Sequence, residues 1–454
     1  MKKIAFCAAA GNGISPLEQI MLKKGYDVYG SDNSFEQGLN LDRKRALEEV
    51  GLKILPQDGS CIFPDTACLY ISSIINENNP DVKAARRYNI PIKKRSDLLE
   101  ELLHGYEHSI AVGGTAGKTT TTAMIGYILD VLGLKPCMIN GGMLCNYEHQ
   151  AGLPNYIYNE GDICVIEADE SDGSIQKYHP YIGIVNNISH DHTSMAKLLE
   201  YFGNFASHVR HALIVNDDCP YSRELKCSCR KFSFSLQNPQ ADLYAADIAA
   251  TEHGVRYSLD GRVFELGIIG EFNVANALAA IAACMMLGVD KFAAAQALEG
   301  FTGIKMRLEK IGTTKDITFY ADFAHNPSKI AASAAAIKAH TPNGKLIMMY
   351  QPHTPFSVSN TGDEVAEELM KVISPDDVVL MQEIYEITPQ DTVSSRDIIN
   401  KLHQLGHAQA YFMDSHNATK QFILNHTRSG DRVVIMGAHD NTLAGFCREI
   451  FEEM

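Results

Sequence analysis

One stretch constrains this chain more than any other: Ala111-Val-Gly-Gly-Thr-Ala-Gly-Lys-Thr-Thr-Thr-Thr122. The apolar lead-in Ser109–Val112 reads as the end of a buried strand, Gly113, Gly114 and Gly117 as a turn, and the run through Leu129 as a helix. Strand, glycine turn, Lys-Thr and helix form a phosphate cradle, because backbone N–H groups and the helix N-terminus then point at anionic oxygens. Lys118 is placed to reach the terminal phosphates of a nucleoside triphosphate, and the Thr119 hydroxyl to ligate Mg²⁺. The loop is one residue shorter than the usual G-x-x-x-x-G-K, since Val112 stands where the first glycine belongs.

At 454 residues the chain has room for several domains, each with its own core. With 40 Lys+Arg against 55 Asp+Glu, a formal charge of −15 argues against nucleic acid as a partner, which needs concentrated cations. The basic run Lys93-Lys-Arg95 reads as a solvated loop. None of the 11 cysteines forms a C-x-x-C pair, so reduced thiols in a cytoplasmic protein are expected. The N-terminal Met1–Ala10 run is broken at once by Gly11-Asn-Gly13 and reads as a first strand and turn. The longest apolar helix pattern, near Asn276–Val289, is too short for a bilayer, and no membrane partner is expected.

In the first third, strand Lys3–Ala9, the Gly11–Gly13 turn, helix Ile14–Lys24 and strand Asp27–Gly30 ending before Asp32 resemble half of a doubly wound nucleotide-binding unit. Gly11, Asn12, Gly13 and Asp32 are its candidate ligand contacts. In the middle third, an apolar strand runs into Glu167-Ala-Asp-Glu170, which brings Glu167 to the carboxyl end of a strand, where hard oxygens suit Mg²⁺. Another strand, Tyr181–Ile188, ends in Ser189-His-Asp-His-Thr193, whose histidines could be metal ligands, proton shuttles or caps. The last third alternates strands Lys345–Tyr350, Asp377–Met381 and Arg432–Met436 with helices Gly362–Val372 and Ser395–Leu405.

Together, Gly113–Thr121, Glu167–Ser174 and the Asn187…Asp191-His192 stretch resemble the Mur ligases, the ATP-dependent amino-acid ligases of bacterial cell-wall precursor synthesis. Ser72-Ser-Ile74, Asn78-Asn-Pro80, Gly270–Ala280, Phe301-Thr-Gly303 with Arg307-Leu-Glu309, and Ala321–Pro327 extend the resemblance over nearly the whole chain. It implies three α/β domains: a Rossmann-like UDP-sugar-binding type at 1–106, a P-loop-type ATP-binding domain at 107–309 and a Rossmann-like amino-acid-binding type at 310–454.

The resemblance implies ATP and Mg²⁺ as cofactors, with Gly114, Thr115, Gly117, Lys118, Thr119 and Thr120 around the phosphates. It puts Mg²⁺ on Thr119, Glu167 and His192, and adenine, phosphate and ribose contacts on Asn273, Asn276, Arg307 and Asp322. Lys118, Glu167 and His192 are the implied catalytic set. Ser72, Ser73, Asn78, His325, His353 and His439 join the candidate substrate contacts. The implied reaction joins an amino acid or short peptide to a carboxylate such as UDP-N-acetylmuramate, through an acyl phosphate, in a monomer or homodimer. Departures from the family pattern are Ala8-Ala-Ala-Gly-Asn-Gly13 in place of a richer glycine loop, Ala116 and Phe272 at histidine positions, Met306 at an arginine position, and Thr354-Pro-Phe356 where arginines stand. The alternatives are a Mur-type ligase with a non-peptidoglycan carboxylate and a nucleotide-binding protein without ligation. A plain ATPase switch would usually carry the standard P-loop.

Overall fold

The computed structural model describes residues 1–189, 193–341, 343–388, 391–438 and 440–454. His190, Asp191, His192 and His439 lie outside the described residues. The chain divides into two compact units: Met1–Asp247 with Tyr257–Phe264 and Phe272–Thr302, and Ile248–Arg256 with Glu265–Glu271 and Gly303–Met454.

Among the described residues, two large sheets lie in the first unit. One is parallel throughout, in the order Lys53–Ile54, Asp27–Ser31, Lys3–Cys7, Thr66–Ile71, Ile92–Lys94. The strand order reverses beside Lys3–Cys7, so the loop that follows it, Ala8–Gly13, opens into the crevice where doubly wound sheets take ligands. The basic run expected to be a solvated loop is instead the end of strand Ile92–Lys94 and the first turn of helix Arg95–His104.

The other sheet runs Leu243–Tyr244, Arg230–Ser235, Ala212–Asn216, Ile182–Val185, His108–Gly113, Ile163–Glu167, Cys137–Ile139, Tyr156–Tyr158. All its pairs are parallel except the last. Its central strands are unbroken apolar runs, as burial on both faces requires. Register does the rest. Val112 pairs with Glu167 and Gly113 with Val185, so three neighbouring strands release the glycine turn, the acidic cluster and Asn186-Asn187 at one edge.

The second unit carries a sheet in the order Glu309–Thr314, Ile317–Asp322, Arg432–Gly437, Leu346–Gln351, Val378–Gln382, Ala410–Met413, parallel after an antiparallel first pair. Alternate strand residues serve two cores. Met348, Val379 and Val434 pack with Ile330, Val365 and Leu402 from helices on one face. Ile347, Leu380 and Ile435 pack with Ile423, Phe446 and Ile450 on the other. Helix Pro355–Met370 begins earlier than its apolar pattern predicts. Thr354 accepts a hydrogen bond from Ser357 N at 3.2 Å through its side chain, and Pro355 opens the first turn.

Candidate nucleotide site

The phosphate loop needs its glycines. Gly114 and Gly117 have φ of 140° and 80°, a region that side chains rarely adopt. A Cβ on Gly117 would lie 2.3 Å from Asn276 Oδ1. Helix Lys118–Val131 follows directly, with no acidic residue in its first turn to answer its positive end. The loop is shaped from the neighbouring strand: Asn187 Oδ1 accepts from Ala116 N at 2.8 Å and from Thr115 Oγ1 at 2.8 Å, while Asn187 O accepts from Thr115 N at 3.2 Å. Asn186 donates to Thr121 Oγ1 at 2.8 Å, and Asn276 links Thr121 to Asn273 at 3.3 and 3.0 Å. The structure thus brings Asn276 against the loop, with Asn273, the other expected nucleotide contact, hydrogen-bonded to it.

Lys118 donates to Gly114 O at 2.8 Å and to Glu170 Oε2 at 2.6 Å, with Asp169 at 3.8 Å. Burial alone would lower the Lys118 ammonium, but Glu170, Asp169 and Glu167 outweigh it and hold it above its ordinary value. Glu170 and Asp169 were visible only as members of an acidic run; the structure makes them the partners that keep Lys118 charged. Beside them, Thr119 Oγ1 donates to Glu167 Oε1 at 2.7 Å, and Gly141 N donates to Glu167 Oε2 at 2.9 Å. A hydroxyl and a carboxylate oxygen side by side at the mouth of an anion-binding loop are the hard donors that fit Mg²⁺. Thr120 is the third residue of the helix and is half-buried.

The loop after the first strand is built differently. Ala8, not a glycine, holds φ 73°. Asp32 accepts from Ala10 N at 2.9 Å and caps the helix Asn33–Glu36 through Ser34 N at 2.9 Å. Arg95 packs over Gly13: a Cβ there would meet Arg95 Nη1 at 2.8 Å. A Cβ on Gly11 would meet Ala8 O at 3.1 Å. Arg43 donates to Asn12 Oδ1. Behind the loop, both carboxylate oxygens of buried Glu18 lack a hydrogen-bond partner among the described residues. Burial, with Asp32 adding to it and Arg43 opposing, raises the Glu18 carboxyl well above the ordinary range. Glu18, Arg43 and Arg95 carried no motif signal. Ser72 and Ser73 follow strand Thr66–Ile71, and Asn78 is exposed; the cap of helix Pro80–Arg87 is its neighbour Asn79.

In the second unit, Met306 and Leu308 have φ of 59° and 46°, a strained turn that displays Arg307 with its guanidinium 4.6 Å above the Phe323 ring. Buried Asp322 accepts from Leu308 N, Phe323 N and Ser333 Oγ at 3.1, 2.9 and 2.5 Å, which ties this turn to the end of strand Ile317–Asp322. Burial nonetheless pushes its carboxyl up. His325 and His353 meet edge to face at 5.4 Å. Burial pushes the His325 imidazole down to about 4, and its Nδ1 lies 2.9 Å from Phe323 O, so the neutral ring donates there and keeps Nε2 as an acceptor.

The chain matches the Mur ligase family, catalytic domain, over residues 3–107, the Mur ligase middle domain over 112–284, and the Mur ligase glutamate ligase domain over 306–439. It is 31% identical to the UDP-N-acetylmuramate–L-alanine ligase of Caulobacter vibrioides across 97% of this chain and 94% of that one. It is 33% identical to the ligase of the same name from Thermosynechococcus vestitus, across 95% and 92%. Among solved structures, the UDP-N-acetylmuramate–alanine ligase of Thermotoga maritima superposes with a TM-score of 0.83 at 24% identity, covering 100% of this chain and 99% of that one, and so shares the fold. The glycine cradle, its charged lysine and the match along nearly the whole chain have one conclusion: this protein belongs to the Mur ligase family of ATP-dependent ligases.

Proposed function

We propose that the protein joins L-alanine, or a short peptide beginning with it, to the carboxylate of UDP-N-acetylmuramate at the expense of ATP. The observation that carries this reading is the Lys118 cradle within a chain so similar, end to end, to ligases named for that reaction. A carboxylate resists attack by an amine at neutral pH. Transfer of the γ-phosphoryl group to a carboxylate oxygen gives an acyl phosphate; the amine then adds to its carbon and phosphate leaves. Lys118 would follow the phosphoryl oxygens, exchanging Glu170 for them as charge builds, and the amides of the glycine turn would hold the remaining phosphates. Thr119 and Glu167, with His192 as a third ligand, would hold Mg²⁺, which supplies further positive charge when bound. Asn273 and Asn276 would face the adenine side, and Arg307 and Asp322 would complete the nucleotide contacts. On the donor side, Arg43 and Arg95 flank the Ala8–Gly13 loop and suit a diphosphate. Asn12, Gly11, Gly13, Asp32, Ser72, Ser73 and Asn78 would line the UDP-sugar, while His325, His353 and His439 would serve the incoming amino acid. The reaction would draw on ATP, and we place it in the cytoplasm on that ground. No helix among the described residues is long and apolar enough to cross a membrane.

One observation favours a second reading, a Mur-type ligase with another carboxylate donor: Ala8 occupies a left-handed position that glycine fills without strain, so the donor loop is not of the usual composition. Phosphate release with ATP, Mg²⁺, L-alanine and either UDP-N-acetylmuramate or other carboxylates decides between them. Stimulation by UDP-N-acetylmuramate supports the first reading; stimulation by another carboxylate alone supports the second.

A further inference from the structure

Helix Arg95–His104 lies beside the segment that leads into strand Ile182–Val185, and Lys177 Nζ meets Asp97 there at 2.8 Å. One turn further along the helix, three metal-ligating side chains converge. Glu100 Oε1 is 2.8 Å from His104 Nε2 and 3.2 Å from His179 Nδ1. One ligand atom from each of the three residues falls within 4.8 Å of the others. Glu100 and His104 share a helix face because they are four residues apart. His179 is held from behind by His208, whose ring stacks on it at 4.2 Å. Its Nδ1 also lies 2.9 Å from Lys177 O.

The cluster is not complete as a hydrogen-bonded network. Glu100 Oε2 and His208 Nδ1 are buried with no hydrogen-bond partner among the described residues, although burying such atoms is costly. At the same time the group is reachable from solvent, because the His104 side chain is 62% exposed. Two imidazoles and one carboxylate are the donor set of a three-ligand Zn²⁺ centre with an open fourth position, and imidazole selects such metals over Mg²⁺. With metal–ligand bonds of about 2.0–2.1 Å, tetrahedral neighbours sit roughly 3.3 Å apart, so the two observed separations need to open by only tenths of an ångström.

We propose that Glu100, His104 and His179 form a transition-metal site, for Zn²⁺ or a metal of similar preference, that fastens helix Arg95–His104 to the central sheet. It is separate from the Thr119–Glu167 pair and does not rest on the ligase reading. Each ligating nitrogen gives the ion its lone pair, so both imidazoles bind in the neutral form with their one proton on the other ring nitrogen.

The test uses the full-length protein, stripped with a chelator and titrated with Zn²⁺ by calorimetry and with Co²⁺ by visible absorption. One equivalent of Zn²⁺ is expected, with a low-coordinate Co²⁺ spectrum and a rise in Tm on metal addition. His104→Ala and His179→Ala should each weaken Zn²⁺ binding by at least about 10-fold and abolish the Tm shift, while MgATP-dependent turnover of His104→Ala stays unchanged. Glu100→Gln, of the same shape, gives the same comparison should an alanine variant fold poorly. Equal Zn²⁺ affinity in the wild type and all three variants overturns the proposal. So does loss of the bound equivalent in a Cys227→Ser/Cys229→Ser protein, which would move the metal to the thiols.

Discussion

Lys118 is the residue on which the proposed chemistry depends, and a buried ammonium survives only among partners that repay its lost hydration. Glu170 at 2.6 Å and Asp169 at 3.8 Å are those partners. Lys118→Ala should lower turnover by at least about 100-fold, the cost of removing one group aimed at developing charge, with secondary structure by circular dichroism unchanged. Near-wild-type turnover would contradict the role given to it. Gly117→Ala acts on the backbone instead. Its positive φ and the 2.3 Å approach of Asn276 to a Cβ should abolish nucleotide binding in a calorimetric titration, and retained affinity would mean that the loop does not cradle phosphate. In the second unit, His325 gives a signed pH effect. Its imidazole is pushed down from an ordinary 6.5 to about 4, so between those values the unfolded chain binds the extra proton. Its contribution to stability is therefore complete above about pH 6.5 and is lost as pH falls towards 4. Denaturant titrations across that range should show a smaller loss for His325→Gln than for the wild type; identical slopes would contradict this environment.

Among elements, the parts legible in the sequence are those whose signals are local. Strand Ile163–Glu167, the glycine turn and helix Lys118–Val131 follow from apolar runs, glycines and a Lys-Thr pair within a few residues of one another. Helix Pro355–Met370 was legible only in its second half, since Ser357, Ser359, Asn360 and Thr361 blur the apolar pattern while Thr354-Pro355 supplies the cap. Thr354→Ala should destabilise the second unit by about 1 kcal/mol, measured as a shift in denaturant midpoint, and no shift would mean the cap is idle. The short antiparallel strand Glu309–Thr314 and helix Leu443–Glu453 went unread because their burial is set by distant chain. Cys447 packs with Phe319 and Ile347, far away in sequence. The same reason hides Arg95 at Gly13, Glu18 behind the donor loop and the Glu100–His179 cluster: each joins residues that no motif spacing can connect.

For the whole molecule, the order of the sheets explains why one fold can serve a three-substrate ligation. Each of the three larger sheets is mainly parallel, so the carboxyl ends of its strands gather loops at one edge: Ala8–Gly13 in the first, the phosphate loop with Glu167 and Asn187 in the second, and Asp322, His325 and His353 in the third. We assign donor, nucleotide and acceptor to these three edges, with domains at 1–106, 107–309 and 310–454. The most direct measurement of that assignment is ATP-dependent product formation, followed by mass spectrometry, with UDP-N-acetylmuramate and a panel of amino acids. The account predicts a product heavier than the donor by one amino-acid residue, formed with stoichiometric phosphate and strictly dependent on ATP. Phosphate released at the same rate with and without an amine, and no coupled product from any pair, would contradict it.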